Sequence, residues 1–361
     1  MKKFAAFFTC LLIGLVSLVG LAGCEKKNPA KINNNIKNVI VLIGDGFGPN
    51  HLDNAKKYFN ISKFDYENDY VCDVTTYSLN SSVTDSAASA TALATGHKAN
   101  NGEVSWHDGE DYEHLMEIAI KNGKKTGIMT SDSLFGATPA CYSAHTENRG
   151  QTGEIIKDQI ASGIDIFVGP VGGGEYYQPT YQQGFVDNGY IYIDDEEELE
   201  DLDNDQKYIA LFNSLQSPYN ESLTGQIDYP AAITNVLSFL DNEDGFCLMI
   251  ENAYIDKNSH SNQFHAAMCE VRYFADMIKA VYDFCEGRDD TAVIITADHE
   301  TGGLQLGSSD SFGNSLYTTG SHTGANVRLF IKYAYIEHKK TVDNTDIFKL
   351  CKTLVENKIA S

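Results

Sequence analysis

Residues 82–92 read SVTDSAASATA, a carboxylate and a hydroxyl, Asp85 and Ser86, at the mouth of a run of small side chains. Ala and Ser pack well where a helix lies close against a sheet, with Asp85 or Ser86 as its N-cap. The same run lets a helix N-terminus approach a ligand, with Ser86 as nucleophile and backbone N–H groups aimed at an anion. Taken alone, the stretch fits both readings. Four further groups border apolar runs: Asp45 in IGDG, Glu251, Asp256 and His260 in ENAYIDKNSH, and Asp298 and His299 in ADHETGG each come after one, and His322 in GSHTG stands just before the last. One Asp in a turn, or one His in a polar pocket, is ordinary. Carboxylates and imidazoles gathered at the ends of four separate runs have no shared structural reason. Carboxylate with imidazole at an open site suits zinc, and carboxylate with hydroxyl suits magnesium.

The elements that must position these groups are legible as alternating patterns. NVIVLIGDG, KKTGIMT, IDIFVG, KYIALF, GFCLMIE and DTAVIITADHE are short apolar runs, each read as a buried strand. Helical patterns lie between them, including YEHLMEIAIKNG and the region from His265 to Cys285. In that region Phe274, Met277, Ile278, Val281 and Cys285 recur at helical spacing and are read as core. Strand–helix alternation with near-continuous apolar strands predicts an α/β fold with a mostly parallel central sheet and helices on both faces. Chemistry in such sheets gathers beyond the C-terminal ends of the strands. The acidic run DDEEELEDLDND (194–205) lacks the spacing of an EF-hand loop and is read as solvated surface.

The chain has 361 residues, 42% hydrophobic and 21% charged, as expected of a globular protein with a sizeable core. With 27 Lys and Arg against 50 Asp and Glu, the net charge of −23 repels nucleic acid and anionic headgroups. No nucleic-acid-binding role is expected. At the N-terminus, Lys2 and Lys3 precede an almost wholly apolar stretch, Phe4 to Ala22, which reads as a signal peptide over 1–23. The run is also about long enough to span a bilayer. LAGC resembles a bacterial lipobox and favours cleavage, leaving Cys24 as the lipid-bearing N-terminus. Residues 24–36 read as a polar tether and 37–361 as one catalytic domain. The expected location is outside the cell, at the outer face of the cytoplasmic membrane or cell envelope, with lipid as the sole membrane contact. The six remaining cysteines show no C-x-x-C pair and do not read as zinc ligands.

VIVLIGDG, VTDSAASATALATGHKANNG, ATPA, AHTENR, ENAYIDKNSH, TADHETGG and SHTG occur in that order from about Asn38 onward. Together they resemble the motifs of the alkaline phosphatase family. The resemblance implies a phosphomonoesterase acting on small phosphate monoesters, with two zinc ions and one magnesium. It implies Ser86 as the phosphorylated serine, with Asp256, His260 and His322 as ligands of one zinc. Asp45, Asp298 and His299 match the ligands of the second zinc. Asp45 also bridges towards magnesium, with Thr138 and Glu251. Arg149 matches the phosphate-binding arginine, and Lys257 a lysine found near the substrate in some members.

Elementary chemistry agrees with these roles. Metal coordination can make a serine hydroxyl an alkoxide, and two zincs about 4 Å apart clamp the attacking and leaving oxygens of an in-line displacement. Arginine's planar fork grips two phosphoryl oxygens at once. Two departures from the family pattern stand out. Many members carry Asp or His two residues before the ATP threonine, where this chain has Gly136, so magnesium is expected to bind weakly; Asp132 in the same loop is the nearest substitute. Between His299 and His322 there is room for a hairpin but not a subdomain, which predicts a monomer or weak dimer by light scattering. Three rival readings fit the sequence less well. A sulfatase needs C/S-x-P-x-R, which does not occur; related phosphodiesterases commonly use Thr where Ser86 stands. A non-catalytic metal- or phosphate-binding surface lipoprotein has no use for both Ser86 and Arg149.

Overall fold

The structure is a computed structural model that describes residues 35–308, 310–334 and 339–356. The signal peptide and Cys24 lie outside the described residues, as does the tether up to residue 34; Ile36 is already fully buried.

Ten strands form the central sheet: β1 (Asn38–Gly44), β2 (Tyr70–Thr75), β3 (Lys125–Thr130), β4 (Ile166–Pro170), β5 (Tyr190–Ile193), β6 (Lys207–Phe212), β7 (Phe246–Asn252), β8 (Thr291–Thr296), β9 (Val327–Lys332) and β10 (Thr341–Asp343). Across the sheet they run β10-β2-β9-β8-β1-β7-β3-β4-β6-β5. Every pairing is parallel except those of β9, which is antiparallel to both β8 and β2. The expected mostly parallel α/β sheet is therefore present, and each of the six apolar runs read as a strand is one.

β1 is buried along its whole length, and the helices Phe264–Phe284 and Asn344–Val355 both pack on it. That burial on both faces is why its sequence shows no polar alternation. Phe274, Met277, Ile278 and Val281 of the long helix are buried in the core, as their spacing predicts. The acidic run forms a short, exposed 3-10 turn, Glu196–Asp201.

Register decides where the chemistry sits. Thr130 pairs with Glu251, Glu251 with Ile43, and Ile43 with Thr296, so four neighbouring strands end in one line. The turns that follow them carry Asp132, Asp45 and Asp298, while Glu251 stands at the edge itself. The helix Tyr254–His260 leaves directly from β7. Between His299 and His322 the chain closes into a small hairpin, with Glu300–Thr301 paired against His322–Thr323.

Candidate metal centre and nucleophile

The turn after β1 is possible only with glycine at its second position. Gly46 has φ +73°, and a Cβ there would meet Asp256 Cα at 2.8 Å and Thr301 Oγ1 at 2.9 Å. Its bare backbone lets Asp45, Asp256 and the 298–301 turn approach one another, and its N–H donates to Asp298 Oδ1.

Asp45, Asp298 and His299 converge. His299 Nε2 lies 3.1 Å from Asp298 Oδ2, 3.5 Å from Asp45 Oδ1 and 3.2 Å from Ser86 Oγ. Four ligands held 2.0–2.1 Å from one zinc stand about 3.3 Å apart, so these are spacings a tetrahedral ion would impose. Asp45 Oδ1 and Asp298 Oδ2 are buried without a hydrogen-bond partner. Burying bare carboxylate oxygens is costly unless a cation compensates them.

Asp256, His260 and His322 form a second convergence beside it. Asp256 Oδ1 lies 3.3 Å from His260 Nε2 and 3.5 Å from His322 Nε2, and the two Nε2 atoms are 3.0 Å apart. Each ring places Nδ1 on a backbone carbonyl, His260 on Gly320 at 2.7 Å and His322 on Thr84 at 2.9 Å. Nδ1 must therefore carry the proton, which leaves two Nε2 lone pairs facing each other. Without a cation between them they repel. Thr301 joins the two convergences: its hydroxyl donates to Asp256 and lies 3.2 Å from His299 Nδ1.

Charge tells the same story. Burial first, then Asp298, Asp256 and Glu251, push Asp45 well above the carboxylate range. Burial and Asp256 raise Asp298 to about 6, and burial and Asp132 raise Glu251 to about 8. Burial also works against the charge of Asp256, but the His322 contact, His299 and the Thr301 hydroxyl outweigh it and hold Asp256 low. This many buried carboxylates repel unless cations sit among them.

Further oxygen donors collect around Glu251. Glu251 is buried and accepts a hydrogen bond from Thr130 Oγ1. Thr138 Oγ1 is buried without a hydrogen bond. A Cβ added at Gly136 would meet Asp132 Oδ2 at 2.8 Å, so the Asp132 carboxylate stands against the position where Gly136 has no side chain. Its other oxygen pairs with Lys257. A set of carboxylates and hydroxyls suits a hard cation such as magnesium.

The packing reading of the SVTDSAASATA stretch holds. Asp85 is the N-cap, accepting the Ala88 N–H at 3.0 Å, and Ser86 opens the helix Ser86–Thr95. Every residue of that helix is buried. Asp85 also receives Arg149 Nη1 at 3.2 Å, so the cap residue holds the guanidinium over the same helix end as Ser86.

The family model for alkaline phosphatase matches residues 36–167 and 174–353. The chain belongs to the alkaline phosphatase family. It is 31% identical to alkaline phosphatase 3 of Bacillus subtilis (strain 168) over 344 residues, covering 90% of this chain and 72% of that protein. Among solved structures, the cold-active alkaline phosphatase of a psychrophilic Shewanella superposes with a TM-score of 0.79 at 26% identity, over 88% of this chain and 99% of that one. A variant of the TAB5 alkaline phosphatase with Mg bound in its M3 site gives 0.77 at 26%, over 89% and 98%. This member is accordingly a metal-binding phosphomonoester hydrolase.

Sequence reasoning named every side chain in the two convergences except Thr301, and it named Asp85 only as a cap. Thr301 follows ADHE directly, so adjacency to two candidate ligands was the available signal. The Asp85–Arg149 pair had none, because it depends on how the AHTENR loop folds back over the helix.

Proposed function

We propose that this enzyme hydrolyses small phosphate monoesters by way of a phosphoserine formed on Ser86. The observation that carries the proposal is the placing of Ser86 Oγ 3.2 Å from His299 Nε2, beside the bare oxygens of Asp45 and Asp298. Asp256, His260 and His322 would hold one zinc; Asp45, Asp298 and His299 the other; Asp45, Thr138 and Glu251 a magnesium, with Asp132 beside it. When bound, these ions supply positive charge for the developing alkoxides and the phosphoryl oxygens.

The chain's own residues do the rest. Ser86 Oγ gives up its proton and forms a bond to phosphorus as the ester P–O bond breaks, and the alcohol leaves with a proton. Water then displaces Oγ from phosphorus, Ser86 regains its proton, and inorganic phosphate is released. Arg149, held from behind by Asp85, offers its remaining N–H groups to the non-bridging oxygens. The positive end of the Ser86–Thr95 helix favours the same dianion. Lys257, paired with Asp132, lies at the edge of the site and contributes charge to the incoming phosphate. The protein is proposed to act outside the cell as a lipid-anchored monomer or weak dimer; among the described residues no helix is long and apolar enough to cross a membrane.

The decisive experiment is acid-quenched turnover followed by mass analysis. Wild type is expected to carry phosphate on Ser86, and Ser86→Ala to lose both that adduct and most of the rate. A stable phosphoryl group on any other residue would overturn the assignment.

A further inference from the structure

A third cluster of ligand-type side chains lies away from Ser86. His114, Glu117 and His145 bring one ligand atom each within 4.8 Å of the others. His114 caps the helix Leu115–Lys121, Glu117 stands in its first turn, and His145 enters from the loop that leads to Arg149. Glu117 Oε2 is 3.4 Å from His145 Nε2 and 3.9 Å from His114 Nε2. The two imidazoles face each other with ring centroids 5.0 Å apart, close to the 4.8 Å between His260 and His322.

The hydrogen bonds behind the rings decide which atoms are open. His145 Nδ1 lies 2.9 Å from the Ser105 carbonyl and must donate to it. Its Nε2 lone pair then points at the Glu117 carboxylate, an arrangement that requires a cation in between. A proton is one such cation. The nearby second imidazole makes the group a fit for another, because two imidazoles and one carboxylate are a zinc donor set. We infer that His114, Glu117 and His145 form a structural zinc site, separate from the active centre, that ties the start of the Leu115–Lys121 helix to the Arg149 loop.

His114 is the weakest of the three ligands. Its Nδ1 accepts the Glu117 N–H at 3.3 Å, so the neutral ring carries its proton on Nε2. Ligation through Nε2 moves that proton to Nδ1 and gives up a long cap bond. Glu117 is 34% exposed, which leaves water access to the fourth position. Zinc at Nε2 of His145, by contrast, keeps the Ser105 hydrogen bond intact.

The test counts zinc. Zinc-loaded, desalted protein is assayed by mass spectrometry of the metal against chain concentration, for wild type, His114→Ser and Glu117→Gln. Serine is among the best N-caps, so His114→Ser keeps the helix start and removes only the imidazole. Each variant is expected to hold one zinc equivalent fewer than wild type while retaining phosphomonoesterase activity. Anomalous diffraction at the zinc edge on wild-type crystals is expected to show a peak between Glu117 and His145, and does not depend on the variants. Equal zinc content in His114→Ser and wild type, or an anomalous map with peaks at the active centre alone, would overturn the site and leave a proton-bridged His145–Glu117 pair.

Discussion

The two ends of the same strands treat charge in opposite ways. Before β1, β3, β7 and β8, at the N-terminal end, the partly buried charges have partners. Arg288 grips Asp241 through Nη1 and Nη2 at 2.7 and 2.8 Å, and Asp290 through Nε and Nη2 at 3.0 Å each. Lys124 donates to the Lys37 and Asp244 carbonyls. Beyond the C-terminal ends, Asp45, Glu251 and Asp298 are buried near one another, and Asp45 Oδ1, Asp298 Oδ2 and Thr138 Oγ1 have no partner. The backbone and the flanking apolar runs are of one kind at both ends. What differs is that one end is complete as protein, while the other is complete only with cations. A fold of this size can carry that deficit because its core, not its rim, supplies the stability.

The largest expected effect separates activity from stability at the deficient end. In Asp298→Asn the Oδ1 atom can still accept the Gly46 and His299 N–H groups. The new Nδ2–H₂ takes the place of the bare Oδ2, 3.1 Å from the His299 Nε2 lone pair. A proposed metal ligand is lost, and kcat/KM should fall about 10²–10³-fold, the scale of removing one electrostatic transition-state contact. The metal-free chain should become more stable. Asp298 is raised to about 6 in the folded state, so the folded chain keeps its proton where the unfolded chain has lost it. Stability therefore falls as pH rises from about 4 through 6, and the full penalty, on the order of 3 kcal/mol, is present at pH 8. Calorimetry of chelated protein at pH 5 and pH 8 should show wild type losing more stability over that interval than Asp298→Asn. A variant that is inactive and also less stable at pH 8 would mean that the charge deficit is not what strains this end.

The same contrast explains what was legible in the sequence. The six runs that form β1, β3, β4, β6, β7 and β8 are unbroken because they are buried, and unbroken runs are easy to read. The other four strands hide for physical reasons. Tyr70–Thr75 is half exposed, Tyr190–Ile193 lies at one sheet edge, and Thr341–Asp343 is three residues long at the other. Val327–Lys332 carries Arg328, which leaves the strand to meet Asp53 at 3.0 Å. In the site, residue type and position after a strand marked the acidic and imidazole groups, because few other roles suit them there. Hydroxyls and carbonyls carry no such mark. Thr301, Thr130 and the Thr84 carbonyl act through the direction in which a turn points, and the chain of letters does not record that direction.

A smaller effect sharpens the comparison at the magnesium-type oxygens. From sequence, Gly136 predicts a weak site; in the structure the Asp132 carboxylate stands in the neighbouring space. Asp132→Asn should weaken magnesium binding to zinc-loaded protein about 10–100-fold, the usual cost of losing a supporting group around a metal. Isothermal titration with Mg²⁺ reads this directly. Gly136→Asp alone should not tighten binding, because its Cβ would crowd Asp132 Oδ2 at 2.8 Å. The double change Asp132→Ala with Gly136→Asp should recover part of the lost affinity. If Asp132→Asn binds magnesium as wild type does, Asp132 serves Lys257 alone.

The smallest effect probes the complete end. Arg288→Met removes four hydrogen bonds but leaves Asp241 and Asp290 partly exposed, with Lys37 still 3.7 Å from Asp290. Water and Lys37 take up much of the released charge, so the cost should be about 1 kcal/mol rather than that of a buried pair. For a domain of this size that is a fall in melting temperature of about 1–2 °C, smaller still in high salt because the pair is screened. Asp290 and Asp298 are separated by the whole of β8, roughly 25 Å at the rise of an extended strand, and perturbations that far apart add independently. The kcat/KM of Arg288→Met should therefore equal that of wild type, and Arg288→Met with Asp298→Asn should show the sum of the two stability changes. A loss of activity in Arg288→Met would mean that β8 transmits strain from one end of the sheet to the other, and that the two ends are not energetically separate.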